Sequence, residues 1–300
     1  MTERRAILSG STFEEQIRYA GAVVDGDRVH VPGAASGLDH STMTISVLIR
    51  ELRANEEFEQ VDELFERIWG FEPDSRPISA GLMRALSHAG NYVSGAFDGD
   101  RMVGASVGFF GQDSTLHSNT TGAAAGRGIG FELKLHQRLW ALDRGISRIT
   151  WTYDPLVRRN AHFNLAKLGA RPAEYLPNFY GVMADAINQG DESDRILAVW
   201  PLTDPRVEAA VRRVPYLPAV PEDAVVGLGD DGDRPVEGRT DGRVVLVAVP
   251  EDIERLRGVD AGAAKAWRHA VRDVLGGLME EGATVTGFHR RTYYVVERNT

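Results

Sequence analysis

The feature that most restricts the fold of this chain is a glycine-rich turn between a predicted strand and the best-defined predicted helix. After the turn, apolar residues recur at helical spacing, and a glycine suited to a helix C-terminus follows them. The residues of the turn are Gly126, Arg127, Gly128, Ile129 and Gly130, the apolar residues are Phe131, Leu135, Leu139 and Leu142, and the closing glycine is Gly145. The pattern predicts a tight strand-to-helix connection and a helix from the glycines at 128–130 to Arg144.

The turn also has the chemistry of an anion site. Glycines let a backbone approach a ligand closely, and the start of a helix offers unpaired N–H groups and the positive end of its dipole. Arg127 adds a cation. A plain tight turn before a helix is the alternative interpretation. It stays open because short glycine patterns are weak evidence of a ligand. A P-loop requires Gly-Lys-Ser/Thr, whereas this chain continues Gly-Phe-Glu, and the G-x-G-x-x-G fingerprint is out of register.

Predicted strands and helices alternate around the turn, and hairpins are frequent. Hairpins are predicted at 19–31, at 92–110 around Asp98-Gly99-Asp100 and at 283–296. Further strands are predicted at 45–50, 115–121, 146–153, 196–200 and 244–249, and helices at 58–68, 82–88, 155–168 and 267–278. The polar, glycine-rich stretch 229–242 predicts a mobile loop, and no internal repeat is evident. We therefore predict a mixed α/β (α+β) fold with a largely antiparallel sheet flanked by helices.

Composition narrows the classes of function. The net charge of −9 over 300 residues argues against non-specific nucleic-acid binding. Because the chain has no Cys, disulfides, thiolate nucleophiles and zinc thiolate sites are excluded. Its His residues form no His-x-x-x-His or Glu-x-x-His pair, so no metal site is expected. Without an apolar signal region or a membrane-length apolar run, we expect a cytoplasmic protein with no membrane partner.

The glycine-rich turn resembles the acetyl-coenzyme A loop of the GNAT superfamily, whose Arg/Gln-x-x-Gly-x-Gly/Ala motif is matched at Gly128 and Gly130. Residues 46–300 are similar to a subgroup of GNAT acetyltransferases that carry Ile-Thr-Trp-Thr-(Phe/Tyr)-Asp-Pro-Leu, here Ile149–Leu156. Asn160–Leu165 and Val285–Phe288 also resemble that subgroup. The resemblance implies a GNAT-like fold and an N-acetyltransferase that uses acetyl-CoA as its acyl donor.

The resemblance also implies roles for particular residues. The acceptor would be an amine of a small molecule, and a homodimer is left open. His117 would be the catalytic base, since a free His has a pKa near 6.5, and Tyr153 the acid; a half-exposed strand His and a packing aromatic are the alternatives. The cofactor-binding residues would be Ser118, Asn119, Thr120, Asn160 and Asn164 together with the turn Gly126 to Gly130. A core hydrogen bond is the alternative for Asn164. Glu174, Tyr175, Asn178 and Tyr180 either line an acceptor pocket or form a half-exposed strand.

Three departures from the family pattern favour a second hypothesis. Ala125 stands where the motif begins with Arg or Gln, and the approach from Gly122 to Gly126 is shorter than in the subgroup. Leu165 stands where many GNAT enzymes have a Tyr that protonates the leaving thiolate. The alternative is therefore a catalytically inactive GNAT-fold binding module with an impaired CoA loop.

The N-terminal 45 residues resemble the start of the Rid (YjgF-type) enamine/imine deaminase family through Arg4-Arg5, Ser9-Gly10-Ser11 and Ala22–Asp27. The catalytic Arg of that family lies beyond the region of resemblance, so we expect no deaminase activity. We divide the chain into a Rid-like hairpin segment (1–45), a GNAT acyl-CoA-binding core (46–190) and a C-terminal extension that completes the fold (191–300).

Overall fold

A computed structural model describes residues 23–25, 28–32, 46–71, 76–183 and 188–299. They fall into two compact units. The first comprises the described residues up to Leu64 together with Ile78–Val107 and Thr120–Leu139, and the second comprises 65–77, Gly108–Asn119 and the chain from Trp140 onward. The predicted class is confirmed: the fold is mixed α/β, with mostly antiparallel sheets flanked by helices.

The described strands and helices have the following bounds. The strands are β1 (Val23–Asp25), β2 (Arg28–Pro32), β3 (Ser46–Glu51), β4 (Val93–Asp98), β5 (Arg101–Phe110), β6 (Thr115–Ala123), β7 (Arg148–Tyr153), β8 (Arg171–Leu176), β9 (Arg195–Pro201), β10 (Val225–Asp230), β11 (Pro235–Glu237), β12 (Val244–Ala248), β13 (Thr284–His289) and β14 (Tyr293–Glu297). The helices are α1 (Asn55–Trp69), α2 (Ala80–His88), α3 (Ile129–Asp143), α4 (Arg158–Ala161), α5 (Pro205–Val211), α6 (Ile253–Val259), α7 (Ala261–Val271) and α8 (Gly277–Glu280). The π-helical segments π1 (His162–Lys167) and π2 (Arg272–Gly276) continue α4 and α7.

The first unit is built from antiparallel neighbours. Strands β1 to β5 lie side by side in chain order, each antiparallel to the next. The predicted hairpins at Asp98-Gly99-Asp100 and between β1 and β2 are therefore confirmed. The remainder of the N-terminal segment, which carries the resemblance to the deaminase family, lies outside the described residues.

Helix α3 begins where its first turn can pack closely on the sheet of the first unit. Ile129 and Leu133 are buried against apolar residues of β3, β4 and β5, namely Val47, Ile49, Ala96 and Val103. A Cβ added at Gly104 would lie only 2.8 Å from Ile129 Cγ2 and 3.0 Å from Leu133 Cδ1. Glycine at this position of β5 thus permits the close approach of helix and strand.

The second unit contains two sheets. In one, strand β7 has the Thr115–His117 part of β6 as its parallel neighbour and β9 as its antiparallel neighbour, and β8 pairs with β9. In the other, the strand order is β11-β10-β12-β14-β13, and the pair β10–β12 is parallel. Residues 195–201 join the first of these sheets, whereas the strands from Val225 onward form a sheet of their own. The division of the chain at 45 and 190 stays a prediction.

The helix predicted at 155–168 forms with a different start and a different pitch. The Asp154 carboxylate accepts a hydrogen bond from the Leu156 backbone N–H at 2.9 Å, so residues 154–156 form a turn and α4 begins at Arg158. The second half is the π-helical segment π1, which ends at Lys167, and Gly169 follows it with a φ of +71° that favours glycine.

The prediction of a loop at 229–242 is wrong for part of that range, because some of its residues form strands. Residues 228–230 of β10 pair with β11, Pro235–Glu237, as an antiparallel hairpin. Val236 and Glu237 are exposed in this edge strand, and the polar composition that predicted a loop reflects that exposure.

Candidate functional site

The parallel strands β6 and β7 separate at their carboxyl ends. They pair only from Thr115 to His117 on one strand and from Arg148 to Thr150 on the other. Both strands continue beyond this point, whereas β9 pairs with β7 on its other side along the whole of Arg148–Tyr153. In open α/β sheets, ligands bind at the carboxyl ends of strands where neighbours diverge. The first candidate site is therefore the end of the paired region in the second unit, between the Thr115–Asn119 part of β6 and strand β7.

His117 occupies the last paired position of β6, at the start of the opening. It is half-buried, and its Nδ1 lies 3.1 Å from the Thr150 hydroxyl. Its ring packs at 5.3 Å from the ring of Phe109. These two contacts hold the imidazole in a defined orientation, which is what a positioned base requires. Beyond His117, Ser118 is buried and Asn119 is exposed.

Tyr153 ends β7 on the other side of the opening. Its side chain is buried, and its hydroxyl is in hydrogen-bonding geometry with no described residue. Burial raises the pKa of Tyr153 well above its ordinary value, and the neighbouring Tyr294 phenol offsets this only in part. The Tyr294 hydroxyl itself donates to the Pro155 carbonyl oxygen at 2.9 Å. Tyr153 is therefore a neutral phenol at physiological pH, with a proton to donate.

The two candidate asparagines lie on the helix that follows β7. Asn164 is buried in π1, and Asn160 is half-buried in α4. Neither carboxamide has a hydrogen-bond partner in the part of the chain that the structure describes. A buried amide normally has a partner. The choice between a cofactor contact and a core hydrogen bond for Asn164 stays a prediction.

The glycine-rich turn lies in the first unit, and its geometry suits an anion. Gly126 and Gly128 have φ values of +81° and +72°, which favour glycine. A Cβ at Gly126, Gly128 or Gly130 would meet no atom within 4 Å, so the backbone faces open space. The Gly128 carbonyl accepts from the Phe131 and Glu132 N–H groups, whereas the N–H groups of Ile129 and Gly130 have no partner in the described chain.

Arg127, the cation of the turn, is already paired. Its Nη2 donates to Asp98 Oδ2 at 3.0 Å, and Asp98 is the last residue of β4, in the β4–β5 hairpin. Both side chains are partly exposed. Sequence reasoning missed Asp98 as part of this site, because the two residues lie 29 positions apart and only the fold brings them together.

The polar-aromatic residues Glu174, Tyr175, Asn178 and Tyr180 begin within β8, and the two tyrosines make different contacts. The Tyr175 hydroxyl donates to the buried Asp194 carboxylate at 2.7 Å, which is a structural contact. Tyr180 is exposed, and its hydroxyl lies 3.2 Å from the Thr152 hydroxyl on β7. Tyr180 and Thr152 therefore add two hydroxyl groups near the carboxyl end of β7, and sequence reasoning had not selected Thr152.

Asp154, directly after Tyr153, anchors the carboxyl end of β7. Arg268 donates to both of its carboxylate oxygens at 2.9 Å, and Arg257 donates to one at 2.8 Å. Burial by itself would raise the pKa of Asp154, but Arg268, Arg257 and Arg195 lower it well below its usual range. Both Arg268 and Arg257 also donate to Asp191. The carboxylate is therefore charged at neutral pH and fully hydrogen-bonded.

In the part of the chain that the structure describes, no group of three His, Asp or Glu side chains could hold a metal ion. None of its helices combines the length and apolar character that crossing a bilayer requires.

About half of the chain is similar in structure to solved acetyltransferase structures. No family model and no curated protein matches it. The ribosomal-protein-S18-alanine N-acetyltransferase from Escherichia coli is 12% identical over 52% of this chain and 94% of its own, with a TM-score of 0.43. The aminoglycoside 6'-N-acetyltransferase from Enterococcus faecium is 18% identical over 51% and 96%, with a TM-score of 0.40. The protein yncA from Salmonella typhimurium, solved with its cofactor acetyl-CoA, is 15% identical over 52% and 94%, with a TM-score of 0.43.

Replacing Arg268 by Met should destabilise the protein by about 3–5 kcal/mol, because the buried Asp154 and Asp191 carboxylates lose a shared partner. Arg171→Met is the control, since Arg171 forms a largely exposed pair with Asp204 and should cost less than about 1 kcal/mol. Urea unfolding followed by circular dichroism measures both. Equal stability of the two variants would show that the buried cluster contributes no more than a surface ion pair.

Proposed function

We propose that this chain is a GNAT-type acyltransferase that moves an acetyl or other acyl group from acyl-CoA to an amine of a small molecule. One observation carries the proposal: the turn before α3 combines two left-handed glycines, open space above them and unpartnered N–H groups at Ile129 and Gly130. A pyrophosphate is the kind of anion that such a helix start binds. The resemblance of the turn to the acetyl-CoA loop agrees with this chemistry.

The proposed reaction is a direct transfer. The neutral amine attacks the thioester carbonyl carbon, a C–N bond forms, and the C–S bond breaks. His117 takes the proton that the amine nitrogen loses, and Tyr153, as a neutral phenol, donates a proton to the departing thiolate. Solvent then restores the proton of Tyr153. Leu165, where many family members have the acid, leaves this role to another residue, and the Tyr153 phenol suits it because its raised pKa keeps it protonated.

The remaining proposed residues hold the coenzyme. We assign the pantetheine arm to the backbone at Ser118, Asn119 and Thr120, and further polar contacts to the carboxamides of Asn160 and Asn164. The acceptor amine is assigned to the side of the Tyr180 and Thr152 hydroxyls. The proposal requires no metal ion, since attack of an amine on a thioester needs only positioning, a base and a polarised carbonyl.

A second candidate function is a binding module without catalysis. The observation that favours it is the ion pair between Arg127 and Asp98, which occupies the only cation that the turn carries. Ala125 supplies no second cation. Under this hypothesis the turn binds the coenzyme weakly or not at all.

Binding of acetyl-CoA tests the cofactor assignment. Calorimetry should show micromolar binding by the unmodified protein and a loss of at least about tenfold in Gly128→Asp, where a carboxylate would meet the pyrophosphate. Gly232→Asp is the control, because Gly232 also has a positive φ and open space but lies in the β10–β11 turn. Absence of binding at millimolar acetyl-CoA would favour the binding module and contradict the transferase.

Substitution of the proposed acid and base should lower kcat and leave acetyl-CoA affinity nearly unchanged. His117→Ala and Tyr153→Phe should each reduce kcat by about 10²- to 10⁴-fold, measured by thiol release with a panel of primary amines. His88→Ala is the control, since His88 is exposed at the end of α2. Unchanged kcat in His117→Ala would remove this residue from the mechanism.

Release of Arg127 from Asp98 should strengthen coenzyme binding. In Asp98→Asn the affinity for acetyl-CoA should rise by about twofold to fivefold and should depend more strongly on salt, since a partly exposed pair is worth up to about 1 kcal/mol. Asp100→Asn removes the same charge from the same hairpin without touching that pair. A fall in affinity in Asp98→Asn would mean that Asp98 positions Arg127 for the ligand.

A further inference from the structure

The second unit contains the same βαββ arrangement twice. Residues 148–201 form β7, a helix, β8 and β9, with the strand order β7-β9-β8. Residues 244–297 form β12, helices, β13 and β14, with the order β12-β14-β13. Within each segment, the first set (148–201) and the second set (244–297), all strand pairs are antiparallel. The two segments are therefore topological equivalents.

Local details repeat as well. Each helix contains a π-helical segment, and each ends with a left-handed glycine followed by alanine, Gly169-Ala170 and Gly282-Ala283. Three residues after that glycine, each following strand has a bulge, at Pro172/Glu174 in β8 and at Val285/Gly287 in β13. The contacts are reciprocal: β8 touches β13 and π2, while β13 touches β8 and π1. Such mutual contacts are those of an isologous interface.

The equivalence extends to the parallel strand beside each set. Strand β6 is parallel to β7, and β10 is parallel to β12. The candidate site described above lies in the second unit, at the end of the paired part of β6 and the carboxyl end of β7. The equivalent place in the second set is the carboxyl end of β10 and β12, and a cleft of about 490 Å³ lies beside the residues that follow β12. It is lined by 157–159 and 251–255, and a volume of this size suits a small ligand.

Most charged groups of the cleft already have partners. Arg159 makes a two-pronged ion pair with Glu254 at 2.5 and 2.6 Å, and Arg255 pairs with Asp233 at 2.6 Å. Asp252 accepts from the Arg255 backbone N–H at 3.0 Å. These pairs shape the walls and leave little charge for a ligand.

Arg158 and Glu251 are the exceptions. Arg158 donates through Nη2 to the Val249 carbonyl oxygen at 2.6 Å, while its buried Nε has no hydrogen-bond partner. Burial lowers the pKa of Arg158, and the nearby carboxylates of Glu251 and Asp230 oppose that effect. Glu251 is exposed and makes no hydrogen bond or ion pair with any described residue. Arg158 and Glu251 thus line the same cleft, and neither forms an ion pair within 4 Å with a described residue.

This charge arrangement selects the class of ligand. A lone anion on Arg158 would face Glu251 and Asp230, and a lone cation on Glu251 would face Arg158. A ligand with both charges satisfies both groups, because Arg binds carboxylates in a fixed fork and a carboxylate accepts from ammonium. We propose that the cleft binds a small zwitterion of the α-amino acid type, with its carboxylate on Arg158 and its ammonium group on Glu251.

Equilibrium dialysis with a panel of radiolabelled free L-amino acids tests this site. At least one should bind, and its N-acetyl and C-amide derivatives should bind at least about tenfold more weakly, because each lacks one of the two charges. Arg158→Gln and Glu251→Gln should each weaken binding to a similar extent. Arg255→Gln, in the same cleft but paired with Asp233, should leave it nearly unchanged, and Glu251→Gln guards against misfolding because Glu251 is exposed.

Three outcomes would overturn the proposal. No amino acid binds at millimolar concentration, or the N-acetyl derivative binds as well as the free amino acid, or Glu251→Gln binds normally. The measurement is made without coenzyme, and Arg158 and Glu251 are outside the proposed acetyl-CoA residues. A failure here therefore leaves the acyl-transfer proposal unaffected, and a failure of acetyl-CoA binding leaves this site unaffected.

Discussion

The second unit depends on one buried ionic cluster. Arg268 is completely buried, and the Asp154 carboxylate that it binds follows directly after the last residue of β7. Desolvating a guanidinium is costly, and the cost is offset only when good geometry satisfies every donor and acceptor. Here Asp154 accepts from Arg268, Arg257 and the Leu156 N–H, so both of its oxygens are used. The cluster fixes the carboxyl end of β7 against helices α6 and α7, and thereby the position of Tyr153.

The buried ionic cluster joins the two βαββ segments of the second unit. The arginines come from the helices of the second set, whereas Asp154 belongs to the first, so the ion pairs join the two equivalent halves. The hydroxyl of Tyr294 on β14 makes a second such link, to the Pro155 carbonyl oxygen. The halves have nevertheless diverged at their strand ends. Where the first set has Tyr153 and Asp154, the second has Val247 and Ala248 when the bulges and ladders are aligned. The acidic residue Glu251 of the second set lies three residues after Ala248, and it lines the cleft together with Arg158 of the first set.

The sequence predicted most elements of the fold because those elements are local. Hairpins at Asp98-Gly99 and helices with regular apolar spacing depend on neighbours a few residues apart. The buried cluster is different, since Asp154 and Arg268 are 114 positions apart, and each resembles an ordinary surface charge in the sequence. The repeat was missed for a related reason. It is conserved in strand order, bulges and turn glycines, whereas the side chains that fill it differ between the two copies. The π-helical segments were also missed, because the spacing of apolar residues does not distinguish one inserted residue in a helix.

The candidate site shows the same division between what is local and what is not. The turn glycines and the start of α3 were predicted, because positive φ values and a helix start are written into short sequence patterns. The partner of Arg127 was not. If coenzyme binding used the arginine as its main attraction, the pair with Asp98 would be a defect that Ala125 makes worse. The open backbone at Gly128 to Gly130 suggests the opposite order of importance. Unpartnered N–H groups at a helix start keep their direction without any side chain, and they lose no rotamer freedom on binding. A turn of this kind can hold a pyrophosphate through its backbone, with Asp98 limiting how much the arginine adds.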